Sequence, residues 1–519
     1  MSSQRDGGRL VAGGGAGSRP HLRPEEIDHG LRMLLLDGVS TQVMGALTGG
    51  ALLVGFALLL GASNKVIGLI AAAGPLTQLL QIPAILLVER TRRRKALAIV
   101  ASLASRLSWV AIALIPLVVP PDLRIPVLLA SLLFHFAGAA VASTPYNSWK
   151  RDLVPDPLMP RYFAKRLTFA TAVGAGVALL SGFAVDYGER LFGDQLTVFS
   201  PLFLLGAVTG LLGVGFLGRI PEPRMRIERE RGLREIFSQP LRDENFRKLL
   251  IFLGSWNFAV NLAAPFFTVY LLSRLGLPMA WVLGLSVVSQ LANVLFFTVW
   301  GELAGRVGNK RVLSLAGSLF VLTIALWPFT TLPERYIFTV PLLVAIHLLA
   351  GISTAGVNLC AGSITLKLAP RGAATAFLAT NSLASGLAAT VAAALAGVVA
   401  DLFATTRLSL QLHGSRGGAD HKLLTALDLS GLDFLFALAA LFGLYSLHRL
   451  LAVREEGEIE EADALVLLGE VRRAVRASLS TVAGLRRLSA FPYDLLLQRR
   501  RPPEEEEGER GETADPTGR

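Results

Sequence analysis

The sequence predicts an all-α integral membrane protein whose twelve transmembrane helices form two six-helix bundles. Apolar residues make up 52% of its 519 residues and charged residues only 17%, whereas about a quarter of a typical soluble protein is charged. Twelve apolar segments each reach or approach the roughly 20 residues that cross a bilayer. A short basic stretch also recurs half a chain apart, which indicates an internal repeat.

The apolar segments form two sets of six, separated by a long charged connection. Their runs are continuous, whereas the strands of a membrane β-barrel alternate in polarity over about 10 residues, so a barrel is excluded. We number the predicted spans 1 to 12. They cover approximately residues 34–60, 66–88, 96–119, 126–148, 167–186, 199–218, 249–272, 280–300, 312–330, 337–360, 373–402 and 432–452.

The polar segments divide the chain into five regions. In the fifth region, apolar residues recur at helical spacing over residues 463–488, which predicts an amphipathic helix on the inner leaflet or against the cytoplasmic loops. Residues 403–430 are expected to form an outward-facing loop, to which the sequence assigns no role. The regions are a disordered cytoplasmic tail (1–30), a first bundle (31–218), a cytoplasmic linker (219–248), a second bundle (249–452) and a cytoplasmic tail (453–519).

The distribution of Lys and Arg predicts the orientation of the chain. The loops after spans 2, 4, 6, 8 and 10 hold 24 of these residues, and the loops after the odd-numbered spans hold 8. Cytoplasmic loops carry an excess of positive charge, so both termini are expected in the cytoplasm of a multi-pass protein of the plasma (inner) membrane. The net charge of +11 is therefore interpreted as a topology signal and a contact with lipid head groups, not with nucleic acid.

The repeated stretch lies between spans 8 and 9 and between spans 2 and 3. Residues 301–311 read Gly-Glu-Leu-Ala-Gly-Arg-Val-Gly-Asn-Lys-Arg, and residues 89–95, which lie 216 positions before 305–311, read Glu-Arg-Thr-Arg-Arg-Arg-Lys. The later copy closely resembles the signature loop between the second and third helices of each half of the major facilitator superfamily. It departs from that pattern at Gly305, where the family usually has Asp.

The resemblance implies a twelve-span secondary carrier. Its substrate would bind at mid-membrane between the halves, which would rock so that access alternates. In the family, the acid and Arg of the signature loop lock one conformation of this cycle; the alternative here is simple anchoring of a positive loop on the cytoplasmic side. The gating residues implied by the resemblance are Glu89, Arg90, Arg94, Gly301, Arg306, Gly308 and Lys310.

Polar side chains within the spans are candidates for the substrate cavity, because a polar group in hydrocarbon is costly unless it faces a cavity or a partner. The alternative is hydrogen bonding that holds neighbouring helices together. His135 and His347 lie at similar depth in the equivalent spans 4 and 10, which allows them to face one another across the cavity. The candidates are Arg106, His135, Asn147, Asn257, Asn261, His347, Asn358 and Asn381.

Two charged residues bear on the substrate and on energy coupling. Arg106 lies ten residues into span 3; it would favour an anionic substrate if it is functional, and a packed structural pair is the alternative. Asp37 shares a helical face with Thr41 near the cytoplasmic end of span 1. It is interpreted either as an interfacial residue or as a proton-coupling group. The coupling ion and the direction of transport stay open.

Other function classes lack their motifs. The chain has no Gly-x-x-x-x-Gly-Lys-Ser/Thr, no His-Glu-x-x-His and no Gly-x-Ser-x-Gly, so the sequence indicates no enzyme, no metal and no cofactor. The predicted partners are a small organic solute and the lipid bilayer, and a monomer is expected. The rival interpretation is a non-transporting protein of the same fold, such as an assembly factor, a sensor or a lipid-handling protein.

Overall fold

The computed structural model describes residues 23–155, 158–223, 233–331, 336–370, 374–416 and 419–455. These residues belong to one compact unit, Met1–Ile459. The predicted amphipathic helix over residues 463–488 and most of the predicted first tail lie outside the described residues.

Twelve helices of the described part are long and apolar enough to cross a membrane, which confirms the predicted number of spans. From here spans 1 to 12 denote these helices, and the first half comprises spans 1–6 and the second half spans 7–12. They are Pro24–Leu59, Asn64–Thr91, Arg94–Val118, Pro121–Leu153, Lys165–Gly188, Gln195–Arg219, Glu244–Arg274, Met279–Val307, Asn309–Thr330, Thr339–Leu368, Ala376–Leu402 and Leu432–Leu451.

Several spans are built from more than one helical segment. Gly50, with φ of +54°, divides span 1, and a 3-10 turn at Gln78–Leu80 divides span 2. Spans 5 and 11 are parts of longer helices, Met159–Phe192 and Ala374–Leu402. A separate helix, Leu233–Arg242, lies in the linker. The other segments are Pro24–Thr48, Gly50–Leu59, Asn64–Thr77, Gln81–Thr91, Pro121–Leu123, Arg124–Leu153, Glu244–Val269, Tyr270–Arg274, Asn309–Leu326 and Trp327–Thr330.

Two boundaries differ from the prediction in ways that matter for the site. Span 1 begins ten residues early, because Pro24 suits the first helical position and Glu26 accepts a hydrogen bond from the amide of Arg23 (2.8 Å). Span 8 continues to Val307, so most of the predicted basic turn is helical. A single residue, Gly308, separates it from span 9, with φ of +90°.

The predicted loop over residues 403–430 is wrong, because most of it forms a β-hairpin. Strands Arg407–Arg416 and Ala419–Ser430 pair antiparallel. The base of the hairpin is fixed by Arg407, whose guanidinium donates to both carboxylate oxygens of Asp428 at 3.0 and 2.6 Å. Alternation of Leu with polar residues at 408–412, followed by Gly-Gly at 417–418, is the signal that predicts such a hairpin.

The two halves touch mainly through two pairs of helices, span 2 with span 11 and span 5 with span 8, and span 1 adds smaller contacts with spans 7 and 8. Within the first half, span 3 packs on span 4 and span 1 on span 6; within the second, span 8 packs on span 10 and span 7 on span 11. We call the end that carries the β-hairpin the hairpin end. The opposite end, where the Arg- and Lys-rich loops lie, is the basic end.

Candidate functional site

Spans 2 and 11 meet backbone to backbone at the hairpin end. A Cβ added to Gly68 would lie 2.6 Å from the carbonyl oxygen of Ala393, and one added to Gly397 would lie 2.5 Å from that of Asn64. Both glycines are therefore required by the close approach of the two helices. Beside them the Lys65 ammonium lies 3.8 Å from the carboxylate of Asp401, so the contact ends in an ion pair between the halves.

Spans 5 and 8 are joined by one carboxylate at the same end. Asp186 of the first half accepts hydrogen bonds of 2.8 Å from the backbone amides of both Met279 and Ala280. These amides belong to the first turn of span 8, where N–H groups have no partner within the helix and the helix dipole favours a negative charge. A residue of one half thus caps a helix of the other half.

A cavity of about 500 Å³ lies beside this cap, between the halves. It is bounded by the ends of spans 1, 5 and 6 on one side and by the connection from span 7 to span 8 on the other. Its polar lining includes Asp186, Arg190, Gln195 and Ser273.

Toward the basic end, span 2 and span 8 pack against helices of their own half. Segment Gln81–Thr91 of span 2 packs against span 4, and Trp300 of span 8 donates to the carbonyl oxygen of Ile352 in span 10 (2.7 Å). Ile85, Leu86 and Leu87 are 39%, 45% and 42% exposed. Three successive helical residues point in three directions, so this segment is covered along one side only. The contacts between the halves described above thus lie toward the hairpin end.

The predicted gating residue Arg94 lies wholly inside the first half. Its guanidinium contacts Asp152 at 2.5 Å, the carbonyl oxygen of Pro223 at 2.8 Å and the carboxylate of Glu222 at 3.5 Å. Glu222 also accepts from the backbone amide of Lys95 (3.3 Å), in the first turn of span 3. Arg94 therefore connects the start of span 3 to the ends of spans 4 and 6.

The second half has an equivalent cluster around Glu455. Its carboxylate accepts from the backbone amide of Lys310 (2.7 Å), the side chain of Asn309 (2.9 Å) and the ammonium of Lys367 (2.8 Å). Glu222 and Glu455 each follow the last span of their half, and each accepts a hydrogen bond from the first turn of the third span of that half. These two carboxylates, together with the signature loops, hold the basic end of each half together.

The backbone supports the sequence repeat at these clusters. Gly308 and Arg92, which lie 216 positions apart, both adopt positive φ, +90° and +53°. Arg92 does so without the freedom of glycine, which costs an L-residue roughly 1–2 kcal/mol. The other predicted gating residues, Glu89, Arg90, Gly301 and Arg306, are exposed at the basic end.

Replacing Glu455 with Gln is expected to destabilise the protein in a pH-dependent way. Burial raises the pKa of Glu455, but hydrogen bonds from Lys367, Lys310 and Asn309 outweigh this effect and hold the pKa below its ordinary value of 4.5. A lowered pKa in the folded state stabilises the protein above pH 4.5, and this stabilisation disappears as the pH falls through the folded-state value.

The free energy of unfolding of the wild type should therefore exceed that of Glu455→Gln by about 2 kcal/mol at pH 7. This difference should shrink below pH 4.5. Thermal unfolding across this range measures it, with Glu302→Gln, an exposed acid of the same end, as the control. A difference that does not change with pH would contradict the assignment.

Arg106 and Asp37 form a buried cluster in the first half. The Arg106 guanidinium donates to the carbonyl oxygen of Gly210 (2.5 Å) and to Thr41 (3.0 Å), and it lies 3.5 Å from Asp37. Asp37 is only 3% exposed. It lies level with Tyr146, about 10 Å inside the end of span 4. The carboxylate therefore lies inside the bundle, thirteen residues into span 1, and is buried among cations and not exposed at an interface.

The two histidines pack inside their own halves and do not face one another. Nδ1 of His135 lies 2.7 Å from the carbonyl oxygen of Ser105, and its ring meets Trp109 of span 3 edge-on at 5.0 Å. Nδ1 of His347 lies 2.8 Å from the carbonyl oxygen of Leu343, one turn earlier on its own helix, and its ring meets Trp327 of span 9 edge-on at 5.7 Å. The expected pairing across a cavity is therefore wrong, because the third helix of each half supplies an aromatic partner.

The predicted asparagines divide into bonded and exposed groups. The side chains of Asn257 and Asn261 donate to carbonyl oxygens one turn earlier on span 7, each at 2.8 Å, and Asn381 donates to Thr365 of span 10 (3.4 Å). Asn147 of span 4 and Asn358 of span 10 are exposed. Sequence reasoning did not select three residues near Asp37, namely Tyr146, Lys150 and Arg166. Tyr146 lies within predicted span 4, and Lys150 and Arg166 lie just outside predicted spans 4 and 5 and were counted with the loops.

The fold defines an integral membrane protein of two six-helix halves. The chain matches the model of the Major Facilitator Superfamily over residues 38–393, and it belongs to that family. No curated protein matches the chain.

Solved transporters share the fold at low sequence identity. A variant of the nucleoside transporter NupG superposes with a TM-score of 0.63 at 13% identity, over 82% of this chain and 100% of that one. A bacterial homologue of the human lysosomal transporter Spinster, in an inward-facing conformation, gives 0.55 at 14% over 89% and 99%. A bacterial homologue of the iron transporter ferroportin gives 0.56 at 13% over 84% and 100%. At these identities the likeness shows the fold alone.

Proposed function

We propose that the protein is a secondary carrier that moves a small organic solute by alternating access between its two halves. The observation that carries this proposal is the contact between the halves at the hairpin end, where glycine-lined helices and the Asp186 cap join them. We infer that a cleft between the halves opens at the other end. The solute would enter the open cleft, and rocking of the halves would then close the basic end and break the hairpin-end contacts.

The basic end is proposed to face the cytoplasm of the plasma (inner) membrane, with the protein acting as a monomer. The excess of Lys and Arg in the loops of that end supports this orientation. In that orientation the described conformation faces inward.

The solute is proposed to contact polar side chains of spans 4, 7 and 10 within the cleft. Asn147 and Asn358 are exposed, and Asn257 and Asn261 are partly buried on one face of span 7. Side-chain amides both donate and accept hydrogen bonds, so they suit a solute that carries donors, acceptors or both. We propose that the solute is anionic. Arg106 itself already donates hydrogen bonds to Gly210 and Thr41.

Asp37 is proposed as the group that couples transport to a proton. Its carboxylate is shared by Arg106 at 3.5 Å and Arg166 at 3.9 Å, so protonation would release two cations at once. A buried acid whose partners change with its charge has the properties that coupling requires.

The test is a thermal-shift screen of the purified protein against metabolites, because a bound ligand stabilises by mass action. A compound that stabilises the protein is then offered to proteoliposomes, where time-dependent uptake is expected. Asn261→Ala should reduce both responses, and Asn293→Ala, which removes a weak 3.4 Å hydrogen bond on span 8, should leave them unchanged. Stabilisation without uptake would support the non-transporting alternative.

A further inference from the structure

Three cations surround one carboxylate between spans 1, 3, 4 and 5 of the first half. Arg106 lies 3.5 Å and Arg166 3.9 Å from Asp37. The Lys150 ammonium lies 4.2 Å from the centre of the Tyr146 ring, and the hydroxyl of Tyr146 donates to Asp37 at 2.5 Å. Taken together, these side chains carry a net charge of about +2 at neutral pH.

Asp37 neutralises this cluster incompletely. Both of its guanidinium distances exceed the range of a direct hydrogen bond, and its Oδ1 atom is buried without a hydrogen-bond partner. Asp152, which lies close to Lys150 in the sequence, is paired with Arg94 instead. Unbalanced charge away from water is unfavourable, so the cluster favours the entry of a further anion.

The two outer cations are accessible, and the inner one is not. The side chain of Arg166 is 21% exposed and that of Arg106 is 10% exposed, and Lys150 is half-buried. Arg106 is held by Gly210 and Thr41. Arg166 donates Nε to the carbonyl oxygen of Leu34 and Nη2 to the hydroxyl of Tyr146, each at 3.2 Å, so Arg166 and Lys150 contact the same phenol.

We propose that Lys150 and Arg166 bind the anionic group, a carboxylate or a phosphate, of the transported solute. The inference rests on the proposed carrier function and assigns its substrate class to residues outside the sequence-predicted set. A guanidinium at the hydroxyl of a phenol and an ammonium over its ring can both form charge-assisted hydrogen bonds to such a group. Asp37 competes with the solute for Arg166, so loss of its charge strengthens anion binding.

The experiment uses the full chain in nanodiscs of uncharged phosphatidylcholine, with benzoate against benzamide and glycerol 3-phosphate against glycerol as matched probes. Calorimetry should detect binding of at least one anion and of neither neutral partner. Lys150→Gln and Arg166→Gln should each weaken anion binding by about tenfold or more, and Asp37→Asn should strengthen it. Arg93→Gln, which changes an exposed cation at the basic end, is the matched control and should have no effect.

The opposite response of Asp37→Asn distinguishes a binding site from a structural cluster, because a merely destabilised site would bind less in all three variants. Anion binding that survives Lys150→Gln, or equal binding of benzamide, would overturn the proposal, and Lys150→Gln keeps the test valid if Arg166→Gln does not fold. Stabilisation by phosphatidylglycerol in the nanodisc, with no response to either small anion, would assign the site to a lipid head group and would also overturn the proposal.

The failure of this site and the failure of the carrier function can be distinguished. Uptake of an uncharged solute would support the carrier function and reject this anion site, whereas anion binding without any uptake would reject the carrier function alone.

Discussion

Replacing Gly397 with Ala is expected to open the hairpin end of the protein. The added Cβ would lie 2.5 Å from the carbonyl oxygen of Asn64 and 2.8 Å from the Cα of Lys65. Both are backbone atoms that cannot rotate away, so span 11 must move from span 2. Because these two helices form one of the two main contacts between the halves, the whole closed end is expected to loosen.

Carbodiimide coupling of the native Lys65 ammonium to the Asp401 carboxylate, quantified by mass spectrometry, measures this opening. The two charged groups lie 3.8 Å apart in the closed state, which suits a zero-length cross-link. The cross-link should form readily in the native protein and fall several-fold with Gly397→Ala. Gly386→Ala is the matched control on the same helix, because its Cβ would meet Pro75 at an ordinary 3.6 Å. Equal cross-linking in both variants would contradict the closure described above.

Replacing Arg94 with Ala is expected to lower the free energy of unfolding by about 3 kcal/mol. Arg94 is 0% exposed, and its removal leaves Asp152 and the Pro223 carbonyl without this donor and Glu222 without its cation. Breaking a buried ion pair costs roughly 3–5 kcal/mol, and we take the lower limit because the side chains of the two acids are about one-third exposed.

Thermal unfolding in detergent checks this value against Arg93→Ala. Arg93 is the adjacent residue and is exposed, so its loss should change stability by less than about 0.5 kcal/mol. Similar unfolding temperatures for the two variants would show that Arg94 is only an anchor of a positive loop. The alternative interpretation of the signature loop would then be preferred for the first half.

Local patterns in the sequence were sufficient to predict the membrane-spanning helices and the internal repeat. Span number follows from the length of apolar runs, which the bilayer sets. The offset of 216 positions aligned two junctions that both need a residue at positive φ, Arg92 and Gly308. The hairpin at Arg407–Ser430 was also encoded locally, but its Leu alternation was treated as part of a loop.

The partners of the charged residues were beyond such patterns. Asp37 meets Tyr146 and Arg166 across more than 100 positions of chain, and Arg94 meets Pro223 across 129. No periodicity relates residues on different helices, so these contacts depend on how the helices pack. The histidines were misjudged for the same reason, since a Trp on a third helix decided where each ring lies.

The account depends on two halves that open one end as they close the other, and paired distance measurements test this most directly. One spin-label pair would report on the hairpin end, at Leu123→Cys and Ile337→Cys, and another on the basic end, at Arg93→Cys and Glu302→Cys, all at exposed positions. In nanodiscs we expect each pair to show two distances, and Gly397→Ala to lengthen the hairpin-end distance while it shortens the basic-end distance. Single fixed distances, or changes in the same direction at both ends, would contradict alternating access.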